Sequence, residues 1–201
     1  MIKKGYVVNL DRRPDRLKEF ISKEIPFPVE RIQAIDSSLS GEPGYVGCKK
    51  SITQALTIAD DRNEYPFAIF EDDCKLIQPW LVVENAMSQL PVDWDILYFG
   101  ANLEHLNKKP ERYSDNLYRV YDAYGNHGKI YGSQRVVRYI IENAYKHKRM
   151  DVFHGIHVCY KFNCYITYPL CAVQRKSYSD IVNGFRDYEQ FAIDNYNKHI
   201  K

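Results

Sequence analysis

The fold of this chain is decided by one short run of residues, Phe67-Ala68-Ile69-Phe70-Glu71-Asp72-Asp73. Its apolar part is uninterrupted, which is typical of a strand buried on both faces of a parallel sheet. Three acids follow where that strand leaves the sheet, and ligands of open α/β sheets bind outside the carboxyl ends of the strands. The run therefore predicts an α/β fold with a binding site at the end of this strand.

The three adjacent acids repel one another and lose hydration on burial unless a cation joins them. Hard divalent ions such as Mg²⁺ and Mn²⁺ prefer oxygen ligands of this kind and bridge readily to phosphate oxygens. A solvated acidic turn after a core strand is the alternative interpretation, because acidic turns are common.

The composition is typical of a globular protein with one core. The chain has 201 residues, 45% of them hydrophobic, which suits a single domain. Its formal net charge of +2 gives no strong basic field, so nucleic-acid binding is not expected. The five cysteines form no C-x-x-C pair, which favours a reducing compartment. We expect neither a signal peptide nor a transmembrane segment.

Strand-like and helix-like segments alternate through the first half of the chain. Strands are predicted at residues 6–10, 31–35, 67–70 and 95–100, with helices between them. This alternation indicates a mostly parallel, Rossmann-like central sheet with helices on its faces.

The second half has a less regular pattern. Residues 101–116 are polar and predict a mobile loop, while residues 124–128 predict a tight turn between two strands. A helix around residues 136–144 and a last strand at 163–168 follow. We expect one domain over residues 1–201, with a core at about 5–182 and a loosely packed polar tail at 183–201.

Six local motifs occur in an order that closely resembles glycosyltransferase family 25, the lipopolysaccharide and collagen galactosyltransferase-like family. They are Val8-Asn9-Leu10-Asp11-Arg12-Arg13-Pro14-Asp15-Arg16, Ala34-Ile35-Asp36, Gly47-Cys48-Lys49-Lys50-Ser51, Glu71-Asp72-Asp73, Trp94-Asp95-Ile96-Leu97-Tyr98-Phe99-Gly100 and Ser179-Asp180-Ile181. The sequence departs from the family pattern at Ile52, where the family usually has His. It departs again at Gly128 and Lys129, where the family tends to have Ala and Tyr, and this suggests a different acceptor.

The resemblance implies a GT-A fold and the transfer of a hexose, with inversion, from a nucleotide-sugar donor such as a UDP-sugar. The implied acceptor is a hydroxyl of a glycan or glycoprotein, and the implied cofactor is Mn²⁺, or else Mg²⁺. Physical reasoning agrees, because a metal held by carboxylates stabilises charge that develops on the leaving diphosphate. We expect a location in the cytoplasm of a bacterial or virus-infected cell, either free or peripheral at a membrane.

The resemblance also implies roles for single residues. Asp73 is the first candidate for a metal ligand, with Glu71 and His127 as further candidates and His154 and His157 as alternatives to His127. Glu71 and Asp72 are also candidates for contacts to the ribose, the donor sugar or a metal-bound water.

The other candidates for donor binding lie at the ends of the first two strands and in the Gly-Cys motif. An arginine fork suits a phosphate or a nucleobase carbonyl, although these arginines can equally pair with nearby acids at a solvated helix start. The candidates are Asn9, Arg12, Arg16, Asp36 and Ser51, and a turn cap is the alternative for Asp36.

Asp151 is the candidate general base. It lies between the basic residues 146–149 and the apolar pair Val152-Phe153, which favours partial shielding from water. An inverting transfer needs one carboxylate to take the proton of the acceptor hydroxyl. A helix N-cap is the alternative role for Asp151, and Asp122 is the second candidate base.

Two other functional classes stay open on the sequence. A nucleotidyltransferase also uses clustered acids and a metal, but it usually has a Gly-rich or basic phosphate loop, and the loop here has arginines without glycines. A catalytically weak sugar-binding module is the third possibility.

Overall fold

The computed structural model of the protein describes residues 1–21, 25–179 and 184–200. Its strands are β1 (Lys4–Asn9), β2 (Val29–Gln33), β3 (Phe67–Glu71), β4 (Cys74–Leu76), β5 (Ile96–Asn102), β6 (Glu111–Arg112), β7 (Leu117–Arg119), β8 (Tyr124–Tyr131), β9 (Cys164–Thr167), β10 (Ala172–Gln174), β11 (Ser177–Ser179) and β12 (Gly184–Arg186). Its α-helices are α1 (Pro14–Ile21), α2 (Gly44–Asp61), α3 (Trp80–Met87), α4 (Gln134–Asn143), α5 (Met150–Phe153), α6 (Cys159–Lys161) and α7 (Tyr188–His199). Short 3₁₀ turns lie at Ser37–Ser40 and Ala144–Lys146, and the π-helical segment His154–Val158 joins α5 to α6.

The central sheet has eight strands in the order β2-β1-β3-β8-β5-β9-β7-β6. β1 pairs in parallel with β2 and β3, and β5 pairs in parallel with β9. β8 and β7 run against the other strands. The protein is thus a mixed α/β domain with a mostly parallel central sheet, which confirms the predicted fold class at this level.

Strand β3 lies in the middle of two hydrophobic layers, as its uninterrupted apolar run predicts. Phe67 and Ile69 point into one layer, while Ala68 and Phe70 point into the other. Helices α2 and α4 cover the first face of the sheet, and α1 and α3 cover the second. The acids that follow Phe70 are therefore held at the end of a rigid, fully packed strand.

Strand β8 is where the structure departs most from the sequence prediction. Residues 124–128 form no tight turn, because they are the first half of one continuous antiparallel strand between β3 and β5. The turn prediction was wrong because the two glycines are needed for a close contact and for a positive φ within the strand. A Cβ atom at Gly128 would lie 2.3 Å from the Phe99 ring, and Gly125 adopts a φ of 87°. Since β8 is reversed, its first residues lie at the edge where β3 and β5 end.

Parts of two segments expected to be loose are packed against the domain. Residues 101–103 are buried, and the first two of them belong to β5. Helix α7 buries Ala192 and Tyr196, and the Tyr196 hydroxyl donates a hydrogen bond to the Thr167 carbonyl at 2.6 Å. The apolar stripe of α7 is thus sufficient for packing despite the polar composition of the segment. Among the described helices, none is both long and apolar enough to cross a membrane.

Candidate functional site

Asp72 is bonded at both of its carboxylate oxygens. Its Oδ1 lies 3.1 Å from Nη1 of Arg16, and its Oδ2 accepts a hydrogen bond of 2.7 Å from Nδ2 of Asn9. The Asn9 Oδ1 in turn accepts from Nε of Arg31 at 3.0 Å. The ends of β1 and β3 are therefore tied together by side chains. Asn9 acts on the site through Asp72, since both ends of its amide are already bonded.

Asp73 offers an open ligand atom. Its Oδ2 accepts from Nε2 of Gln174 at 2.9 Å and lies 3.5 Å from Nη1 of Arg16. Its Oδ1 is buried and has no hydrogen-bond partner among the described residues. A buried carboxylate oxygen without a partner is costly, and such an atom marks a position for a proton donor or a cation.

Glu71 differs from its two neighbours in protonation. Its half-buried carboxyl accepts a hydrogen bond of 3.3 Å from the thiol of Cys48. Burial, and then the negative charge of Asp73, raise the pKa of Glu71 to about 8. At neutral pH the carboxyl is therefore mostly protonated, which reduces the repulsion within the cluster.

A first cavity of about 260 Å³ lies beside the acids. Apolar side chains form one part of its wall, and charged side chains from the ends of β1 and β3 form another. Its lining includes Val8, Leu10, Arg12, Arg16, Ala34, Ile35, Asp36, Ser51, Ile52, Glu71, Asp72 and Asp73. The structure thus brings together in one cavity all the residues that the sequence assigned to donor binding except Asn9, which supports Asp72 from behind.

Asp36 and Ser51 shape this first cavity. Asp36 caps the turn at Ser37–Ser40 through the Ser38 backbone, as its alternative role predicts, and accepts from Nε of Arg12 at 2.6 Å. Its contact with a donor stays a prediction. Hydrogen bonds from Ser38 and Arg12 lower the pKa of Asp36. The Ser51 hydroxyl accepts from the Ile35 backbone at 2.8 Å and donates to the Gly47 carbonyl at 2.7 Å. Ser51 therefore fastens α2 to the segment after β2.

A second cavity, also of about 260 Å³, lies on the other side of the acid cluster. It is lined by Tyr45, Cys48, Glu71, Asn102, Glu104, Tyr124, Gly125, Asn126, Arg149, Met150, Asp151, Gln174 and Tyr188. Cys48, Glu71 and Gln174 line both cavities, so the two spaces meet at these three side chains.

The two candidate bases occupy different surroundings. Asp151 lines the second cavity, within the first turn of α5, and its carboxylate forms a two-point pair with Arg149 at 2.7 and 3.2 Å. Asp122 lies outside the lining of both cavities. Its buried carboxylate accepts hydrogen bonds of 3.0 Å from the backbone N–H groups of Asn107 and Lys108. The geometry thus favours Asp151 for contact with a substrate and gives Asp122 a part in holding a loop.

The charge of Asp73 acts on His127, one of the three histidines expected near the metal. His127 is fully buried, and neither ring nitrogen has a hydrogen-bond partner among the described residues. Burial lowers its pKa to about 4, although the charge of Asp73 opposes this shift. His154 contacts the ammonium of Lys129, and His157 is exposed beside the ring of His147.

The part of the chain that is described holds no group of three or more His, Cys, Asp and Glu side chains arranged to bind a metal ion. Magnesium-type ions, however, are commonly held by one or two carboxylates, with substrate phosphates and water completing the shell. The unpartnered Oδ1 of Asp73 fits that mode of binding, and Glu71 can join it on losing its proton.

Two further residues belong to the site that sequence reasoning did not assign to it. Gln174 bonds to Asp73 and lines both cavities, but it follows Pro169 in a stretch without a recognised strand signal. Lys129 is buried and donates a hydrogen bond to Asn126, which lines the second cavity. In the sequence, Lys129 stands out only as a departure from the family pattern. Asp180 and Ile181, from the last family motif, lie outside the described residues.

Comparisons with known proteins bear on the fold alone. No family model and no curated protein matches the sequence. Solved structures do match: the crystal structure of A197 from STIV aligns with a TM-score of 0.52 over 92% of this chain and 93% of that chain, at 15% sequence identity. Likeness at this level of identity extends to the architecture, so this chain shares a mixed α/β fold with A197 along nearly its whole length.

Proposed function

We propose that the protein is a metal-dependent glycosyltransferase of the GT-A type, related to glycosyltransferase family 25. It would move a hexose from a nucleotide-sugar donor, such as a UDP-sugar, to a hydroxyl of a glycan or glycoprotein. One observation carries this proposal: two cavities of equal size meet at Glu71, with arginines in one and Asp151 in the other. A transferase needs this arrangement, because donor and acceptor must approach each other from two sides.

The donor would occupy the first cavity. Arg12 and Arg16 present guanidinium groups that suit the charges of a diphosphate, and each is already oriented by an acid at its other side. Ile35 and Ile52 provide an apolar wall against which a nucleobase can pack. Asp36 lies at the same end of the cavity, where it can accept from a ribose hydroxyl.

Asp73 would hold Mn²⁺ or Mg²⁺ through its unpartnered Oδ1. When bound, such an ion supplies electrostatic stabilisation of the leaving nucleoside diphosphate. Gln174 and Arg16 hold Asp73 by its other oxygen, so Oδ1 is oriented without an ion. Asp72 is engaged by Asn9 and Arg16 and keeps the arginine in position.

Asp151 would take the proton of the acceptor hydroxyl in the second cavity. It lines the second cavity, across Glu71 from the arginines of the first, where an attacking hydroxyl would lie opposite the leaving diphosphate as inversion requires. Arg149 fixes the orientation of this carboxylate through two hydrogen bonds. Glu71, protonated at neutral pH and shared by both cavities, can donate a hydrogen bond to the transferred sugar.

A panel of nucleotide sugars with Mn²⁺ tests the proposal. Release of the nucleoside diphosphate from a sugar donor, abolished in Asp73→Asn and retained in the exposed control Asp15→Asn, would support it. Release of pyrophosphate from nucleoside triphosphates would indicate a nucleotidyltransferase instead. Binding of a nucleotide sugar without turnover under any metal condition would indicate a sugar-binding module.

A further inference from the structure

Lys129 is a buried cation without a carboxylate partner among the described ion pairs. Its side chain is 1% exposed, its Nζ donates to Oδ1 of Asn126 at 2.6 Å, and it also contacts Nδ1 of His154. The ammonium lies 5.1 Å from the centre of the Tyr98 ring. The charges of Glu71 and Asp151 act on this ammonium without forming an ion pair with it. Burying an ammonium without a direct carboxylate partner costs free energy, so this arrangement calls for a role beyond packing.

The lysine decides which way the Asn126 amide faces. An ammonium only donates hydrogen bonds, so it must meet the carbonyl oxygen of the amide and cannot meet the NH₂ group. Asn126 also lines the second cavity. With Oδ1 bound to Lys129, the donor Nδ2 is the end of the amide left for a molecule in that cavity.

Asn102 supplies the complementary group. It is 8% exposed and lines the same cavity, and its Oδ1 is buried without a hydrogen-bond partner among the described residues. On the sheet Asn102 pairs with Tyr124, and Asn126 follows two residues later. The cavity therefore offers a fixed donor and an unsatisfied acceptor on neighbouring strands. A hydroxyl group both donates and accepts, and a sugar ring carries several of them.

The walls of the cavity favour an uncharged ligand. Tyr45, Tyr124 and Tyr188 combine apolar rings with hydroxyl groups, which suits a molecule with apolar faces and polar edges. Asp151 and Glu104 line the cavity, and the cation in its lining, Arg149, is already paired with Asp151. An anionic ligand would therefore face carboxylates without a free counter-charge among the side chains that line the cavity.

We infer that the second cavity binds an uncharged sugar through the amides of Asn102 and Asn126, and that Lys129 positions the Asn126 amide for this contact. The inference rests on the proposed function only in assigning this sugar the part of acceptor. Binding of the sugar itself requires neither a donor nor turnover. Lys129 is a positioning residue, because its ammonium reaches the ligand through Asn126.

The test is NMR-detected binding of methyl glycosides of glucose, galactose and mannose to the full chain, with and without UDP. Methyl glucuronide is the matched anionic probe. We expect at least one neutral glycoside to bind, and the glucuronide to bind about tenfold more weakly or not at all. Equal binding of the glucuronide, or no binding of any neutral glycoside, would overturn the inference.

Asn126→Asp is the sharpest variant, because it keeps the size of the side chain and gives Lys129 a carboxylate, but removes the NH₂ donor. We expect a folded protein whose affinity for the neutral glycoside falls about fivefold or more, as for the loss of one hydrogen bond. Lys129→Met should weaken the binding of the same sugar to a similar extent. The exposed substitution Asn85→Asp on α3 is the control and should change nothing.

The two proposals fail in different ways. Affinity for UDP, measured on the same samples, should stay unchanged in Asn126→Asp, because that residue does not line the first cavity. Intact sugar binding in a protein without transfer activity would refute the transferase and leave the sugar site standing. Unchanged sugar affinity in a folded Asn126→Asp protein would refute the sugar site, whatever the enzyme activity.

Discussion

The thiol of Cys48 donates a hydrogen bond to Oε1 of Glu71 across 3.3 Å, at the point where the first and second cavities meet. Burial, followed by the nearby Glu71 charge, raises the pKa of this thiol well above its usual value. Cys48 is therefore a neutral donor and not a thiolate nucleophile. Of these two groups, Glu71 is therefore the one that changes its charge near neutral pH where the two cavities meet.

Glu71→Gln should remove a pH-dependent loss of stability. The pKa of Glu71 is raised from 4.5 to about 8 in the folded protein. At a pH between these two values, folded Glu71 therefore keeps a proton that the unfolded chain has lost. The unfolding free energy contributed by this group therefore falls as pH rises across that window. Melting temperatures without divalent metal should show the variant gaining on the wild type from pH 5 to pH 8.

The exposed Glu84→Gln on α3 serves as the control for this titration, and its melting temperature should follow the wild type at every pH. Parallel profiles for Glu71→Gln and wild type would show that Glu71 ionises normally in the folded protein.

Asp73→Asn should bind Mn²⁺ more weakly by more than about tenfold, since disturbing even an outer partner of a metal ligand has that effect. The asparagine oxygen can still accept the hydrogen bond from Gln174, so the fold should persist. Titration calorimetry with Mn²⁺ and nucleoside diphosphate measures the loss. An affinity equal to that of wild type would remove Asp73 as the ligand.

Arg16→Ala should destabilise the protein by roughly 3 kcal/mol, because it leaves Asp72 and Asp73 buried without their cation. It should also weaken nucleoside diphosphate binding by about tenfold or more, as expected for a lost charged hydrogen bond. Arg13→Ala, which removes a pair with the exposed Asp15, should cost no more than about 1 kcal/mol. Unchanged UDP affinity in Arg16→Ala would exclude it from the donor site.

Asp151→Asn should lower the transfer rate at saturating donor by about 10²–10⁴, the usual contribution of a general base. Donor affinity should stay normal because Asp151 does not line the first cavity. Loss of donor binding together with activity would instead place Asp151 in the donor or metal site.

Asp122→Asn, in contrast to Asp151→Asn, should lower the stability of the protein and leave the transfer rate unchanged. The carboxylate holds the backbone N–H groups of Asn107 and Lys108 and the hydroxyl of Tyr160, and an amide can satisfy fewer of them. We expect a loss of about 1–2 kcal/mol in stability with the transfer rate per folded molecule unchanged. A large rate loss in a stable Asp122→Asn protein would make it the base in place of Asp151.

The first half of the fold could be predicted because its signals are local. The apolar run of residues 67–70 and the acids after it specify a buried strand with a site at its end, and the structure places them so. The meeting of Asn9 and Arg16 at Asp72 has a local basis too, since Asn9 ends the neighbouring parallel strand β1 and Arg16 lies in the helix that follows it.

The second cavity could not be predicted in the same way, because its contacts are set by tertiary packing. Gly125 and Gly128 signal a turn, but they sit in a strand whose neighbours demand small residues. The sequence around Lys129 does not indicate that its ammonium is buried and bonded to Asn126, three residues before it. The bond between Gln174 and Asp73 likewise joins residues distant in sequence.

The reversed strand β8 has a consequence for synthesis of the chain on the ribosome. When residues up to 100 have emerged, β1, β2 and β3 can already associate, but β3 still lacks its second neighbour. The backbone of its apolar segment Phe67–Phe70 then has unpaired N–H and C=O groups along one side. Such an open sheet edge can pair with strands of other chains. Only after residues 124–131 leave the exit tunnel does that edge close, so a translational pause before β8 would be the moment of greatest risk of aggregation.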